Sequence, residues 1–268
     1  AGLLGYISEV ELKLKRVESG DLTVTAVSCR NWGEQLAAFE RFEPSADYMV
    51  SWVDAFAKDG SSGRGLMHAA THVTVDEPPT LQRSHQALAT RAFGIRKDRL
   101  WRLFKLVNHR QGMRVLNALK YASGKYLENR RTERQSLTRF SFLLDSAPGW
   151  ERAYDPGGLI QCQFFIPKEQ ALGTFHKLMA IQHDAKLEAF LAVLKRHRKD
   201  ALPFVFSHSV DGYSLALDFK VTYSNRERLF AMARLMQEEA LAVGGRFYFA
   251  KDATLTASQA HRFLGSDL

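Results

Sequence analysis

Apolar and polar residues alternate with a period of two in some stretches of this chain and follow a helical period in others. The order of these two patterns predicts most of the architecture. The pattern is sharpest from Gly158 to Pro167, Gly158-Leu-Ile-Gln-Cys-Gln-Phe-Phe-Ile-Pro167. Read as a strand, it places Ile160, Cys162, Phe164 and Ile166 on one wholly apolar face. Gln161 and Gln163 point the other way, between Leu159 and Phe165. Two amides on one face of an otherwise apolar strand are costly to bury unless something pairs with them. That face is therefore expected to form the floor of a binding site. A second strand is predicted at 246–250 within Gly244-Gly-Arg-Phe-Tyr-Phe-Ala-Lys-Asp252, with Phe247 and Phe249 on one side and Tyr248 on the other.

Between these strands the period changes. Pro167 sits where a first helical turn tolerates proline, and Leu172, Phe175, Leu178, Met179 and Gln182 trace a helix face. Ser224-x-x-Glu227 has the form of a capping box for a second helix, with Leu229, Met232, Met236 and Val243 as its apolar stripe and Gly244-Gly245 as its end. Segments 188–197 and 213–219 read as the two remaining strands. The expected fold class is α+β: a ferredoxin-like βαββαβ unit at 158–251, its antiparallel sheet covered by helices on one face. The other face is expected to be open and to carry Gln161, Gln163, Leu191, Val193, Lys195, Ser214, Ala216 and Tyr248.

Upstream, residues 5–15 and 22–29 alternate like strands, with Glu18-Ser-Gly-Asp21 as a turn between them. A helix is predicted at 33–42, and strands at 47–54 and 65–75. A largely helical, basic segment is expected at about 79–135, and a strand-like connection over 136–150.

Charge changes the picture in that basic segment. The chain has 268 residues and a net charge of +8, yet between Arg83 and Arg134 there are 14 Lys/Arg against three acidic residues, a local excess of +11. Such a stretch is either a solvated helical surface or an attractor for phosphate, whether on a lipid, a nucleotide or a nucleic acid, and an anionic membrane surface is one such partner. No apolar run approaches the ~20 residues of a membrane-spanning helix. The start has no signal-peptide pattern, and the lack of an initiator Met is read as a chain cut from something longer, or processed. The two cysteines fit a reducing cytoplasm, and the basic segment adds the inner face of its membrane as a candidate location. His68 and His72 have i,i+4 spacing, but on a strand such positions lie about 13 Å apart, so a metal site is not expected.

Several motifs together resemble the C-terminal part of FAD-linked oxidoreductases of the vanillyl-alcohol-oxidase type. They are Ser51-Trp52-Val-Asp-Ala55, Gly63-Arg-Gly65, Trp150-Glu-Arg-Ala-Tyr-Asp-Pro156, the Gln-x-Gln strand and Gly244-Gly-Arg-x-Tyr-x-Ala-Lys-Asp252. Gly2-Leu-Leu-Gly-Tyr-Ile-Ser-Glu-Val is similar to the last strand segment of that family's FAD-binding domain, whereas the basic middle matches poorly. The resemblance implies a terminal piece of an FAD-binding domain at 1–21 and a substrate-binding cap domain at 22–268, with a flavin over the open sheet face. It implies that Lys251 reaches both flavin and substrate, and that its cation stabilises the negative charge gained at the N1/C2 carbonyl edge. It also places Tyr248 beside the cofactor and gives Gln161, Gln163, Lys195, Ser214, Ala216 and Trp52 to the substrate site. The implied chemistry is oxidation of a secondary alcohol of the sugar or sugar-lipid class, with phosphorylated and lipid-linked substrates both candidates, by hydride transfer to flavin N5.

The departures bear on substrate and activity. Ala216 stands where a member of that family has a pocket cysteine, and Ser141 where it has a tyrosine. The flavin-diphosphate site belongs to an N-terminal half outside this chain, so the chain alone is expected to be inactive and to need that half as its partner. The alternative is a stand-alone ligand- or nucleic-acid-binding module, because βαββαβ sheets with basic helices also read RNA. Phe247 and Phe249 fall on the helix side, which argues against nucleic acid.

Overall fold

The computed structural model describes residues 6, 8–17, 19–74, 86, 87, 91, 92, 95–142, 148–201, 207–251 and 253–265. Its strands are β1 (Asp21–Cys29), β2 (Tyr48–Val53), β3 (Gly65–His72), the short pair β4 (Arg91–Ala92) and β5 (Ile95–Arg96), β6 (Thr132–Ser136), β7 (Leu159–Pro167), β8 (Leu191–His197), β9 (Gly212–Lys220) and β10 (Arg246–Phe247). The α-helices are α1 (Trp32–Phe42), α2 (Leu100–Val107), α3 (Arg110–Ser123), α4 (Leu137–Ser141), α5 (Ala171–Ala185), α6 (Arg226–Ala242) and α7 (Ala257–Leu264). The fold is α+β. Eight strands form one antiparallel sheet in the order β10-β7-β9-β8-β2-β3-β1-β6.

That order contains one connectivity twice. The expected unit β7-α5-β8-β9-α6-β10 gives spatial order β10-β7-β9-β8, and β1-α1-β2-β3-crossover-β6 gives its mirror, β2-β3-β1-β6. The halves meet where β2 pairs with β8 through Ser51–Leu194, Trp52–Val193 and Val53–Ala192. The first half's crossover is the basic segment carrying α2 and α3, which is why its last strand lies so far downstream. That strand, Thr-Glu-Arg-Gln-Ser, is polar throughout, as suits a sheet edge.

Alternation along the strands builds the main core on one face. Cys162, Phe164 and Ile166 of β7, Ala192 and Leu194 of β8, Leu215, Leu217 and Phe219 of β9, and Val53, Met67 and Ala69 are buried there under α1, α5, α6 and α7. Each large side chain removed from water in this way contributes about 1.5–3 kcal/mol. Trp32 of α1 meets Phe175 of α5 at 5.1 Å between ring centroids, so the helices of the two halves share one core. Asn31 caps α1 through the Glu34 amide, and Thr256 with Gln259 forms a capping box on α7.

The structure corrects several expectations. The sheet is not helix-covered on one face only: α3 lies over the opposite face, where Tyr121 packs with Trp52, Leu66 and Leu191. Leu137 and Phe140 of α4 cover Leu22, Val24 and Ala70 on that same face. Residues 6 and 8–17 form no strand, because both edges of β1 are already taken by β3 and β6. The 136–150 connection is helical where it is described, with α4 and a 3₁₀ turn at Trp150–Tyr154. Pro167 ends β7 rather than opening a helix. The Ser224 capping box does not form. Asn225 occupies the N-cap of α6, and its side chain accepts from the Thr222 amide instead. The strand expected at 246–250 stops at Phe247, and Phe249–Lys251 is a 3₁₀ turn. Asp252, the start of the basic segment and most of the N-terminal motif lie outside the described residues.

Gly65 shows how closely β2 and β3 approach. A Cβ there would lie 2.2 Å from both the Trp52 carbonyl oxygen and Gln35 Nε2. The backbone oxygen has nowhere to go, so Gly65→Ala is expected to destabilise the protein by roughly 1–3 kcal/mol. Gly173→Ala, within α5 and with nothing within 4 Å of its Cβ, should instead stabilise by about 0.5–1 kcal/mol. Urea denaturation of the two variants checks both signs.

Candidate functional site

The face of β7, β9 and β8 opposite the main core carries polar side chains in register. Gln163 lies opposite Ala216, which lies opposite Val193. One row along are Gln161, Asp218 and Leu191, and the next row the other way holds Phe165, Ser214 and Lys195. Period two puts all of these on one face, because the helix-side core claims every intervening residue.

The row is tied together by a chain of hydrogen bonds. The 3₁₀ turn after β10 brings Lys251 Nζ within 2.8 Å of Gln163 Oε1. Gln163 Nε2 donates to Ser214 Oγ at 3.0 Å, and Ser214 Oγ lies 2.7 Å from His197 Nε2. Ser214 is fully buried and Gln163 nearly so, so these bonds replace the water both groups have lost. Beside the chain, Gln161 Nε2 donates to Asp218 Oδ1. Asp218 is 1% exposed, and its other oxygen, Oδ2, has no partner. A buried carboxylate oxygen without a donor is costly, which makes Asp218 the strained member of the row.

Electrostatics follow from burial. Burial pushes the Asp218 carboxyl up to about 6, opposed by the Gln161 hydrogen bond and the Lys251 charge. Burial lowers Lys251, the Lys195 charge lowers it further, and Asp218 holds it up. Burial, helped by His208, Lys195 and Arg196, lowers His197 to about 4, so its ring is neutral at physiological pH. The site thus sets a cation and a carboxylate near each other at a partly dry surface, both with altered proton affinity.

Aromatic groups wall the site. Phe165 meets the rings of both His197 and His208, at 4.8 and 4.6 Å, and His208 meets the Tyr248 ring at a tilt, 4.9 Å between centroids. The Lys251 ammonium lies 5.5 Å from the Tyr248 ring centroid. On the far side, an apolar cavity of about 230 Å³ opens between the sheet, α2 and α3, lined by Trp52, Leu191, Phe104, Leu116, Trp150 and Tyr154 among others. Lys120 stands at its edge, 4.6 Å from the Trp52 ring centroid. Desolvation against the sheet pushes its ammonium down to about 8, opposed by the Glu128 charge.

Of the residues predicted for this site, Gln163, Ser214 and Lys251 are directly linked, with Ala216 flat between Gln163 and Val193. Gln161 is bound to Asp218, and Tyr248 flanks Lys251. Lys195 is exposed across from Ser214 and acts on Lys251 by repulsion. Trp52 is not in the polar cluster: it lies one strand beyond Val193, under α3, as a wall of the apolar cavity. Ser141 ends α4, which covers the other half of the sheet. The sequence reading did not single out Asp218, His197 or His208. Asp218 was within its reach, since Ser214, Ala216 and Asp218 follow one alternation. His197 was hidden inside the charged run Lys195–Lys199. Among the described residues no group of three or more His, Cys, Asp and Glu side chains is placed to hold a metal.

No family model matches the chain. It is 26% identical over 272 residues to the decaprenylphosphoryl-β-D-ribose oxidase of Mycolicibacterium smegmatis (strain ATCC 700084 / mc(2)155), an alignment covering 97% of this chain and 54% of that protein. The chain therefore spans about half the length of this curated relative. The similarity bears out the resemblance to FAD-linked oxidases carried by the Gln-x-Gln strand and the Gly-Gly-Arg-x-Tyr segment.

Asp218 gives a testable sign. Its folded pKa of about 6 lies above the ordinary 3.8, so the native state binds more protons between these values and loses stability as pH rises through them. Asp218→Asn removes that charge. The variant is expected to be more stable than the parent at pH 7 by about 2–3 kcal/mol, with the gain vanishing below about pH 4. Thermal unfolding across this pH range measures it.

Proposed function

We propose that this chain is the substrate-binding part of an FAD-dependent oxidoreductase that oxidises a secondary alcohol of the sugar or sugar-lipid class. The observation that carries the reading is the Lys251–Gln163–Ser214 chain beside a buried carboxylate with a free oxygen. The residues fit a flavin ring. Lys251 offers N–H donors beyond the one on Gln163, a match for a carbonyl edge that becomes negative, and Tyr248 offers a flat aromatic flank. Lys251 and Tyr248 would hold the ring, and the bound flavin would accept the hydride at N5.

The chain's own residues do the rest. Alcohol oxidation removes a hydride and a proton, and Asp218 is the carboxylate of the polar row whose proton affinity suits it to take the hydroxyl proton. With a pKa near 6 the carboxylate is ionised at neutral pH yet basic enough to hold that proton. Gln161 occupies Oδ1, so Oδ2 is the oxygen left without a donor. Gln163 and Ser214 fix the sugar-binding floor, and Ala216 leaves room above it. The apolar cavity behind Leu191, which lies opposite Asp218, suits the hydrocarbon part of a lipid-linked alcohol.

The test is flavin retention and turnover. The chain is purified alone and after co-expression with the half of the curated relative that it does not span. The expected result is visible flavin absorbance only in the second preparation. There, Lys251→Met should lower kcat by about 10²–10³ while the sheet stays folded. Flavin bound in neither preparation favours the stand-alone binding module.

We further propose that the basic segment rests on an anionic membrane surface, in keeping with a cytoplasmic protein peripheral to the inner face. No described helix is long and apolar enough to cross a membrane. Instead, Leu103, Leu106, Val115, Leu119, Tyr126 and Leu127 are exposed on α2, α3 and the turn after α3, interleaved with Lys97, Arg99, Arg102, Lys105, Arg114 and Lys125. Apolar side chains among cations are what an interfacial element requires. Co-sedimentation with phosphatidylglycerol vesicles should exceed that with phosphatidylcholine, and Leu106→Glu with Leu119→Glu should abolish the difference. Equal pelleting with both lipids would overturn the proposal.

A further inference from the structure

We infer that His197, which makes no bond to Lys251 or Gln163 itself, is a positioning residue: as the final acceptor of the hydrogen-bond chain that starts at Lys251, it holds the whole chain in one direction. The inference rests on the proposed function only for what Lys251 and Gln163 finally hold. The argument is one of donors and acceptors. An ammonium has donors and no acceptor, so the group of Gln163 that meets Lys251 at 2.8 Å is its carbonyl oxygen. The amide nitrogen is thereby turned to Ser214, 3.0 Å away, and Ser214 Oγ accepts from it. The hydroxyl hydrogen of Ser214 then needs an acceptor, and the ring nitrogen that the structure offers is His197 Nε2, at 2.7 Å. His197 must accordingly carry its proton on Nδ1 and leave Nε2 bare. The chain runs one way only: Lys251 to Gln163 to Ser214 to His197, each donating to the next.

Reversing any member breaks the rest. Were Nε2 protonated, Ser214 Oγ would face two donors and its own hydrogen would point at nothing in a fully buried position. Were the Gln163 amide flipped to relieve that, its NH₂ would confront the Lys251 ammonium, donor against donor. The ring is held for this task by packing. Phe165 meets it edge-on at 4.8 Å, and His208 packs against the same Phe165 at 4.6 Å. Charges near His197 come from Lys195 and Arg196 on its own strand and from His208 on the following loop. Arg196 is itself engaged by Glu43 and Asp211. All of these neighbours favour the neutral ring that the chain requires. The consequence at the site is that Gln163 presents its oxygen to Lys251 before any ligand arrives, and the remaining N–H groups of Lys251 are aimed by that bond.

The test needs no cofactor. Long-range ¹H–¹⁵N correlation spectra of the ¹⁵N-labelled chain at neutral pH read the His197 tautomer directly. The expected result is Nδ1 protonated and Nε2 bare; an Nε2-protonated ring overturns the inference. The second measurement follows the side-chain NH₂ pair of Gln163. His197→Phe and, independently, Ser214→Ala should each collapse the pair toward the shifts of a freely rotating amide, with backbone amides of β7 and β9 unmoved. An unchanged Gln163 pair in Ser214→Ala overturns the inference even if His197→Phe fails to fold. Loss of flavin binding with both signals as expected would count against the proposed function and leave the positioning role intact.

Discussion

Three residue pairs between β2 and β8 hold together everything else in this molecule. On one face they merge two helix-covered cores: Val53, Ala192 and Leu194 lie side by side at the join, with Trp32 and Phe175 in contact in the same core. On the other face they set Trp52 next to Val193, and so carry the wall of the apolar cavity up to the edge of the polar row. An isolated four-stranded half would expose the flank of that core along β8. Joined, both halves lose an edge, and the sheet ends on the short β10 and the polar β6, neither an inviting template for another chain.

The polar face is supported at a cost in stability. Gln163, Ser214 and Asp218 are all buried, and each hydrogen bond among them only offsets the loss of water. Asp218 is not fully compensated, since Oδ2 has no partner and its proton affinity has risen accordingly. Other polar atoms, such as Tyr213 Oη and Gln237 Oε1, are also buried without a partner. Asp218 stands apart because its neighbours Gln161, Lys251 and Tyr154 converge on it from three different elements. A sheet selected for stability alone would place an apolar or neutral side chain there.

Much of this was legible in the sequence where alternation was strict. The β7 pattern gave both the core face and the two glutamines, and the strand–helix–strand–strand–helix order gave the C-terminal half. Failures cluster where a local pattern competes with tertiary demands. Residues 5–15 alternate, but a strand needs an edge to pair with and β1 had none left. Ser224 fits a capping box, yet Asn225 reaches the Thr222 amide and the Lys220 carbonyl and so takes the position. The duplication was invisible because the first half's crossover is long and basic, and its fourth strand has no apolar alternation at all. The hydrogen-bond chain was beyond reach for another reason. It joins residues on three strands and a turn, and register across strands is not written in any one of them.

The repeated connectivity also explains why the site lies where it does. Each half closes its sheet with a crossover from its third strand to its fourth. In the second half that crossover is α6, packed on the core face, and the opposite face of β7 and β9 carries the buried polar row. In the first half the crossover brings α3 across the opposite face, against Trp52 and Leu66. The same sheet face is therefore covered by an α-helix on one half, while on the other Lys251 and Tyr154 reach the buried polar row from 3₁₀ turns. The change falls at the join, where the apolar cavity reaches Leu191 and the polar row begins at Asp218 beside it. The asymmetry that hid the repeat in the sequence is thus also what sets the apolar cavity next to the polar row.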